Sequence, residues 1–480
     1  MKRQQRLRAA LVTICWVLVA AACGRQPSLF PSGDGALRAS CDSLHFDTLF
    51  SGLSSTTAWM RIYNASAQPL RIDSVYLLSG GKSGFRASVD AFALSESRNL
   101  SLPAGDSLFV FVEITAPQQQ TSGPCHIDDK LCFAYGDERL NIVLDAYAWD
   151  AVMWRGKTIA GDTLLRADKP YVIYDSLTVA AGACLSLDEG VTLHFHDGAA
   201  LMVYGSLQAK GSAQRPVVLR GDRLDWAFDD FPYEWYPGQW TGVYLGRESY
   251  GNCLDFTHIR GAYYGIISDS SSLETTKLTL SNSQLFNMIY SGIYAFSTKM
   301  EVSNTLMANS GSYTVALIGG DAVFTHCTIA NYQVLTRRED DTPSLVVVNF
   351  TQDNQGRQTL YPLQQASFRN CIVYGSRQDE FAMGLLPEAG EDISFQSCLL
   401  RKKDTLDATV ASSVIYNLDP CFKAINDNYR YDFHLDSLSP ALNAANPVFS
   451  IDFPFDADGL PRLQDEAPDM GAFEYARKTF

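Results

Sequence analysis

From about residue 41 to residue 150 the chain alternates apolar and polar positions in short runs. They are Leu44 to Leu49, Ala58 to Tyr63, Leu70 to Leu78, Leu108 to Thr115 and Leu140 to Ala148, with Gly, Pro, Asn and Asp between them. A period of two with that punctuation predicts short strands, and strands at this spacing predict a two-sheet sandwich. From Asp175 the texture changes. Still shorter runs follow (Leu177 to Val179, Cys184 to Leu187, Val191 to Phe195, Leu201 to Tyr204, Val217 to Leu219), with glycines at 182, 190, 198, 205 and 211 marking turns. Strands this short cannot bury a face singly, so they must stack.

An internal repeat says how. Leu280, Val302 and Phe324 recur every 22 residues, as do Asn282, Asn304 and His326, and Asn287, Asn309 and Asn331. Phe256 lies 24 residues before Leu280, and Phe368, followed by Asn370, lies 44 after Phe324. Phe-x-x-Cys recurs at Phe324/Cys327, Phe368/Cys371 and Phe395/Cys398. A period near 22 with apolar positions and Asn at the turns fits one coil of a parallel β-helix. The Leu-x-x-Leu-x-Leu pattern of a leucine-rich repeat is absent. Asn suits such turns because it tolerates the left-handed conformation and can bond its equivalent in the next coil, so the Asn ladder reads as structural. Arg337 to Pro343 and Gln352 to Leu363 break the period and read as projecting loops. The outward positions between Phe256 and Asn331 read as Ser, Thr, Asn and Tyr.

At 480 residues the chain exceeds what one compact core supports. The N-terminus adds an address: Lys2, Arg3, Arg6 and Arg8 precede an apolar run from Ala9 to Ala22, too short to span a bilayer but fitting a secretion signal over residues 1–22. Ala20-Ala21-Ala22-Cys23-Gly24 resembles a bacterial lipobox, with Ala20 where Leu is usual. It implies a diacylglycerol on Cys23 and a membrane partner, plain cleavage after Ala22 being the alternative. Residues 23–40 then read as a flexible tether, 41–150 as the sandwich, 151–430 as the β-helix and 431–480 as a capping segment. The formal charge of −15 excludes a nucleic-acid partner and disfavours polyanionic glycans unless a metal bridges them. Of eleven cysteines, Cys15 and Cys23 fall in the signal and lipid site; Cys125 and Cys132 are near enough in sequence to staple a hairpin in an oxidising compartment.

Several motifs carry a resemblance. Gly221 to Asp225 (Gly-Asp-Arg-Leu-Asp), Pro237 to Gly242 (Pro-Gly-Gln-Trp-Thr-Gly), the 22-residue coils, Ser439 to Asn443 (Ser-Pro-Ala-Leu-Asn) and Pro468 to Glu474 (Pro-Asp-Met-Gly-Ala-Phe-Glu) look like right-handed parallel β-helix lipoproteins of Gram-negative envelopes. Pro69 to Val75 and Pro103 to Ser107 resemble immunoglobulin-like envelope domains that serve as spacers. The resemblance covers nearly the whole mature chain. It implies a pectate-lyase-like coil architecture at the outer membrane, facing either side, and carries over no catalytic residues.

The densest chemistry lies between Asp222 and Trp240. Trp226, Tyr233, Trp235 and Trp240 stand among Asp229, Asp230 and Glu234, and aromatic faces beside carboxylates are what sugar rings need. Two such carboxylates could also serve as acid and base in glycoside hydrolysis; a loop packed over an open edge is the alternative reading. Asp456-x-Asp458-Gly459 is half of a calcium loop, read as a turn with Arg462 paired to Asp469. His194 and His196 lie two residues apart on one strand face and read as polar surface rather than metal ligands. No Gly-x-Ser-x-Gly, P-loop or His-Glu-x-x-His occurs, nor a cluster of calcium-binding carboxylates with a Lys or Arg base on the coils. The leading expectation is a non-enzymatic scaffold binding a glycan or an envelope protein. A polysaccharide lyase or glycoside hydrolase, or a structural envelope component, are the alternatives.

Overall fold

The computed structural model describes residues 36–228, 231–427, 429–464 and 466–476. The expected signal sequence, Cys23 and most of the expected tether lie outside the described residues. The chain divides into two compact units, one ending at Asp150 and one beginning at Ala151.

The first unit is a β-sandwich. One sheet runs in the order Leu37–Ala39, Ala58–Asn64, Ser107–Ile114, Phe85–Val89, Phe92–Ala93, and the other Ser43–Phe50, Glu138–Trp149, Cys125–Tyr135, Leu70–Leu77, Arg98–Leu102. Strict alternation turns Leu108, Val110, Val112 and Ile114 inward against Ile72, Leu131, Phe133, Ile142 and Leu144 of the opposite sheet. Two expectations change. Leu37–Ala39, assigned to the tether, pairs with Ala58–Asn64 in the sheet. Cys125 and Cys132 lie on one continuous strand; seven residues of strand separate them by about 23 Å, far outside disulfide range.

The second unit is a parallel β-helix with three faces. Each coil contributes a strand to face C, then to face B, then to face A; in one coil these are Leu278–Ser281, Gln284–Met288 and Ser291–Phe296. Face C runs in unbroken parallel order from Thr163–Leu165 to Ala411–Ser412, and faces A and B are linked in one larger sheet. The register bears out the 22-residue repeat. Leu280 pairs with Val302, Val302 with Phe324, Phe324 with Phe368 and Phe368 with Phe395. Inside, the rings of Phe324, Phe368 and Phe395 stack with centroids 5.1 and 4.8 Å apart, and Cys327, Cys371 and Cys398 are fully buried beside them.

The turn from face C to face B repeats a single backbone conformation. Phe256, Asn282, Asn304, His326, Asn370, Ser397 and Ser413 all have φ between 44° and 53°, the left-handed region open to Asn at low cost. Phe256 therefore occupies the Asn position: Leu254, not Phe256, pairs with Leu280, because that coil is longer than the 22-residue coils that follow it. Asn282 donates to Asp255 Oδ1 (2.7 Å), Asn304 to Asn282 Oδ1 (3.0 Å), and Asn370 meets His326 Nε2 at 3.0 Å. A second ladder holds the turn from face B to face A. Asn287 and Asn309 are left-handed there, and Asn331 Nδ2 donates to Ser310 O (2.8 Å). Replacing Asn304 with Leu puts a branched side chain at φ 46° and removes its bonds to Asn282 and Phe455 O. That should cost about 2–4 kcal/mol, read as a lowered thermal midpoint.

The segment from Phe422 onward lies along the flank of the coils. Phe422, Phe433, Leu435, Ala441, Met470, Ala472 and Phe473 form a third core with Leu306, Ala308, Ala330, Tyr332, Ile372, Tyr374 and Leu399 of face B. These outward positions are thus apolar, contrary to the polar outer row read from the sequence, because they face a second layer instead of water. The buried Arg462 fastens that layer to the ladder, donating to Asn304 Oδ1 (2.8 Å), Glu474 Oε1 (2.6 Å) and the carbonyls of Gly471 and Ala472 (both 3.2 Å).

Candidate functional site

The aromatic and acidic loop is a hairpin followed by a turn. Trp226–Phe228 pairs with Phe231–Pro232, and a single 3-10 turn, Tyr233–Trp235, follows; Asp229 and Asp230 lie outside the described residues. Much of the loop is packed on itself. Phe231 is buried, stacks on Phe228 (4.8 Å) and meets Trp235 and Tyr429 edge-on (6.0 and 5.8 Å). Arg223 lies over the Tyr233 ring at 3.7 Å. Trp226 stays half exposed, whereas Trp240 has no exposed surface: its ring stacks on Phe195 at 4.3 Å and its Nε1 donates to Arg260 O (2.9 Å). Trp240 is a core residue, since the chain re-enters the coil stack at that point, and it offers no face to a ligand.

The described carboxylates of this loop all have a histidine or arginine partner. Asp222 Oδ2 lies 2.6 Å from His196 Nδ1, Asp225 pairs with Arg223, and Glu234 Oε2 accepts from Arg220 (2.8 Å) with Arg260 at 3.4 Å. His194 and His196 part company: His194 is buried, and burial together with Arg220 pushes it down to about 3, while His196 is exposed beside Asp222.

Asp456 is buried and saturated by backbone donors, Oδ1 by Asp458 N (3.0 Å) and Leu460 N (2.7 Å), Oδ2 by Glu474 N (2.7 Å). Asp458 Oδ2 meets His434 Nε2 at 2.7 Å. The pair forms a capped turn, and among the described residues no group of three His, Cys, Asp or Glu side chains is arranged to hold a metal. Arg462 pairs with Glu474 and not Asp469, whose carboxylate accepts from the backbone of Asn443 and Tyr475 (2.7 and 2.8 Å).

Beside the hairpin, between face B and the flanking segment, lies a cleft of about 290 Å³ lined by Trp235, Arg260, Gln284, Phe286, Leu306, Tyr431, Asp432, Phe433, His434 and Phe473. Arg260 pairs with Phe286 and His258 with Gln284 along the coils, so the cleft sits where face B changes from charged to apolar. Asn287 pins Trp235 by donating to its carbonyl (2.8 Å). Burial alone would lower His434, but Asp432 at Nδ1 (2.5 Å) and Asp458 at Nε2 outweigh it and push the imidazole up to about 9.

Face A carries a feature that the sequence reading passed over. Its outward side is a strip of tyrosines crossing successive coils. Tyr204 lies 6.1 Å from Tyr244; Tyr290 lies 6.0 Å from Tyr263 and 5.1 Å from Tyr264; Tyr294 lies 6.1 Å from Tyr264 and 5.3 Å from Phe296, which reaches Tyr361 at 5.9 Å. Tyr204, Tyr263 and Tyr290 are exposed, at 41, 37 and 40%. Carboxylates border the strip. Tyr244 donates to Asp269 Oδ2 (3.1 Å), and Ser312 donates to Glu339 Oε2 (3.0 Å). Glu339 belongs to the projecting loop expected at 337–343, which a buried pair anchors: Arg338 donates to Glu380 at 3.0 and 2.5 Å, and Glu380 also accepts from Ser344 Oγ (2.6 Å) and Arg377 N (2.9 Å).

No protein-family model matches the chain. A 72-residue stretch, 15% of this chain, is 33% identical to part of protein bark beetle of Drosophila melanogaster, and the match spans only 2% of that protein. Similar solved structures include a family 123 glycoside hydrolase from Clostridium perfringens (7% identity, 24% of this chain and 26% of that one, TM-score 0.18). Two others are a protein of unknown function from Porphyromonas gingivalis W83 (21%, 26% and 51%, 0.19) and the Vibrio cholerae VesB protease (17%, 24% and 31%, 0.18). Overlaps with scores this small bear on neither the fold nor the chemistry of this chain.

Proposed function

We propose that this protein is a lipid-anchored envelope scaffold, held at Cys23, whose right-handed β-helix binds a neutral linear glycan along the tyrosine strip of face A. The strip is the observation that carries the reading. Coils repeat about every 4.8 Å, so Tyr263 and Tyr264 on one coil and Tyr290 and Tyr294 on the next form a rigid aromatic platform, with the Tyr204–Tyr244 pair on the two coils before, along which a chain of sugars can lie. Tyrosine suits the task, joining an apolar face for C–H contact to a hydroxyl that donates or accepts. Asp269 and Glu339 at the margins add acceptors for sugar hydroxyls, and with the net charge of −15 they select against polyanions. The described carboxylates of the aromatic loop are already engaged by His196, Arg223, Arg220 and Arg260, which favours binding over hydrolysis by those groups. The sandwich, immunoglobulin-like in this reading, serves as a spacer from the membrane.

A glycan-array screen of the purified chain, with and without calcium, tests this directly. A Tyr264→Ala, Tyr290→Ala, Tyr294→Ala variant should lose about 10-fold or more in affinity for any retained neutral glycan, at roughly 0.5–1.5 kcal/mol per ring contact. Unchanged retention by that variant would remove face A as the site, and product release from a retained sugar would replace binding with catalysis.

A further inference from the structure

The cleft beside Trp235 differs in kind from the tyrosine strip, because it is concave and has a guanidinium, that of Arg260, in one wall. Arg220 uses its guanidinium fully, on Glu234 (2.8 Å), Gly221 O (3.2 Å) and Arg223 O (2.6 Å). Glu234 is shared by Arg220 and, at 3.4 Å, by Arg260, so on this wall two guanidiniums face one carboxylate. His258 accepts from Arg260 (3.1 Å) and adds no charge, since burial and Arg260 push its imidazole down to about 3. Of the charged groups lining the cleft, Arg260 and protonated His434 are positive and Asp432 negative. Both nitrogens of His434 are committed to Asp432 and Asp458, whereas Arg260, which meets His258 through Nη2 and Glu234 through Nη1, has five N–H groups and so donors beyond those two contacts for a ligand. Trp235, Phe286, Tyr431, Phe433 and Phe473 supply ring faces and edges on the other walls. About 290 Å³ is at the small end for ligand pockets, enough for one ring and too little for a chain.

We infer that this cleft binds a single six-membered ring bearing a carboxylate, the ring packed against Trp235 and the Phe286–Phe433 wall and the carboxylate bonded to Arg260. A sugar acid and an aromatic acid share that chemistry. Gln284, in register with His258 along the coils and lining the same cleft, gives the ring a neutral hydrogen-bonding partner. The site is independent of face A, so it stands whether or not the glycan reading holds.

Isothermal titration calorimetry on the purified chain decides it, with glucuronate and benzoate as the acids and glucose and benzyl alcohol as their neutral counterparts. At least one acid should bind, at least about ten-fold more tightly than its counterpart, as a charge-assisted bond to Arg260 requires. Whichever acid binds identifies the ring. Arg260→Gln should remove that preference, while the triple tyrosine variant should leave it intact. Absence of binding by both acids, or equal binding of an acid and its neutral counterpart, overturns the assignment. Should Arg260→Gln fail to fold, the acid-to-neutral comparison in the native protein is decisive by itself.

Discussion

Replacing Arg462 with Met should cost the β-helical unit about 3–5 kcal/mol and shift its urea midpoint sharply downward, because the change strands a buried carboxylate. Arg462 has no exposed surface, and its partner Glu474 is almost as deeply buried. Burial opposes the charge on both, drawing the arginine down and the glutamate up, and only their mutual contact at 2.6 Å makes the arrangement tolerable. The double variant Arg462→Met, Glu474→Leu should therefore be more stable than Arg462→Met alone, since no lone charge remains. Arg462 also bonds Asn304. The losses from Arg462→Met and Asn304→Leu should thus fail to add, by about 0.5–3 kcal/mol, in a double-mutant cycle.

Acid should loosen the coils in a defined window. His194 falls to about 3 and His326 well below its ordinary value, chiefly by desolvation, with Arg220 and Arg462 respectively adding to the effect. A base held neutral in the fold but free to protonate when unfolded stabilises the protein above its unfolded pKa of about 6.5. That contribution drains away as pH falls towards the folded value. Between pH 6.5 and 3 the two residues together should remove at least about 3 kcal/mol. His326→Asn supplies the usual ladder residue without a titrating ring, so it should flatten the pH dependence of the urea midpoint over that range. An unaltered slope in that variant would show that His326 does not contribute to the acid transition.

The coil architecture was legible in the sequence because inward residues in a solenoid repeat with the coil length. Leu280, Val302 and Phe324 sit on coils of 22 residues and line up in space as in sequence. Phe256 was misplaced because its coil is longer, and a one-dimensional alignment cannot tell a loop residue from a core residue when only the spacing moves. Unequal coils hid the tyrosine strip for the same reason. Tyr244 pairs with Ile267 and Ile267 with Tyr294, at intervals that share no period. The aromatic loop stood out by composition, yet composition could not show that Trp240 turns inward or that Glu234 is shared by two arginines. The apolar outer row of face B was hidden differently. Leu306, Ala308 and Ala330 make sense as outward residues only with the flanking segment known to lie over them.

That flank also orders the events of making the protein. Leu306, Ala308 and Ala330 meet partners that come more than a hundred residues later, and Asn304 bonds Phe455 across 151 positions. A chain delivered N-terminus first can stack its coils one on another as they arrive, since each needs only its neighbour. Face B has to wait, its apolar row open to water and to other chains until the final stretch is delivered and Arg462 closes on Glu474. A chain interrupted before that stretch would carry a nearly finished solenoid with a sticky side, the kind of species that aggregates or calls on chaperones in transit.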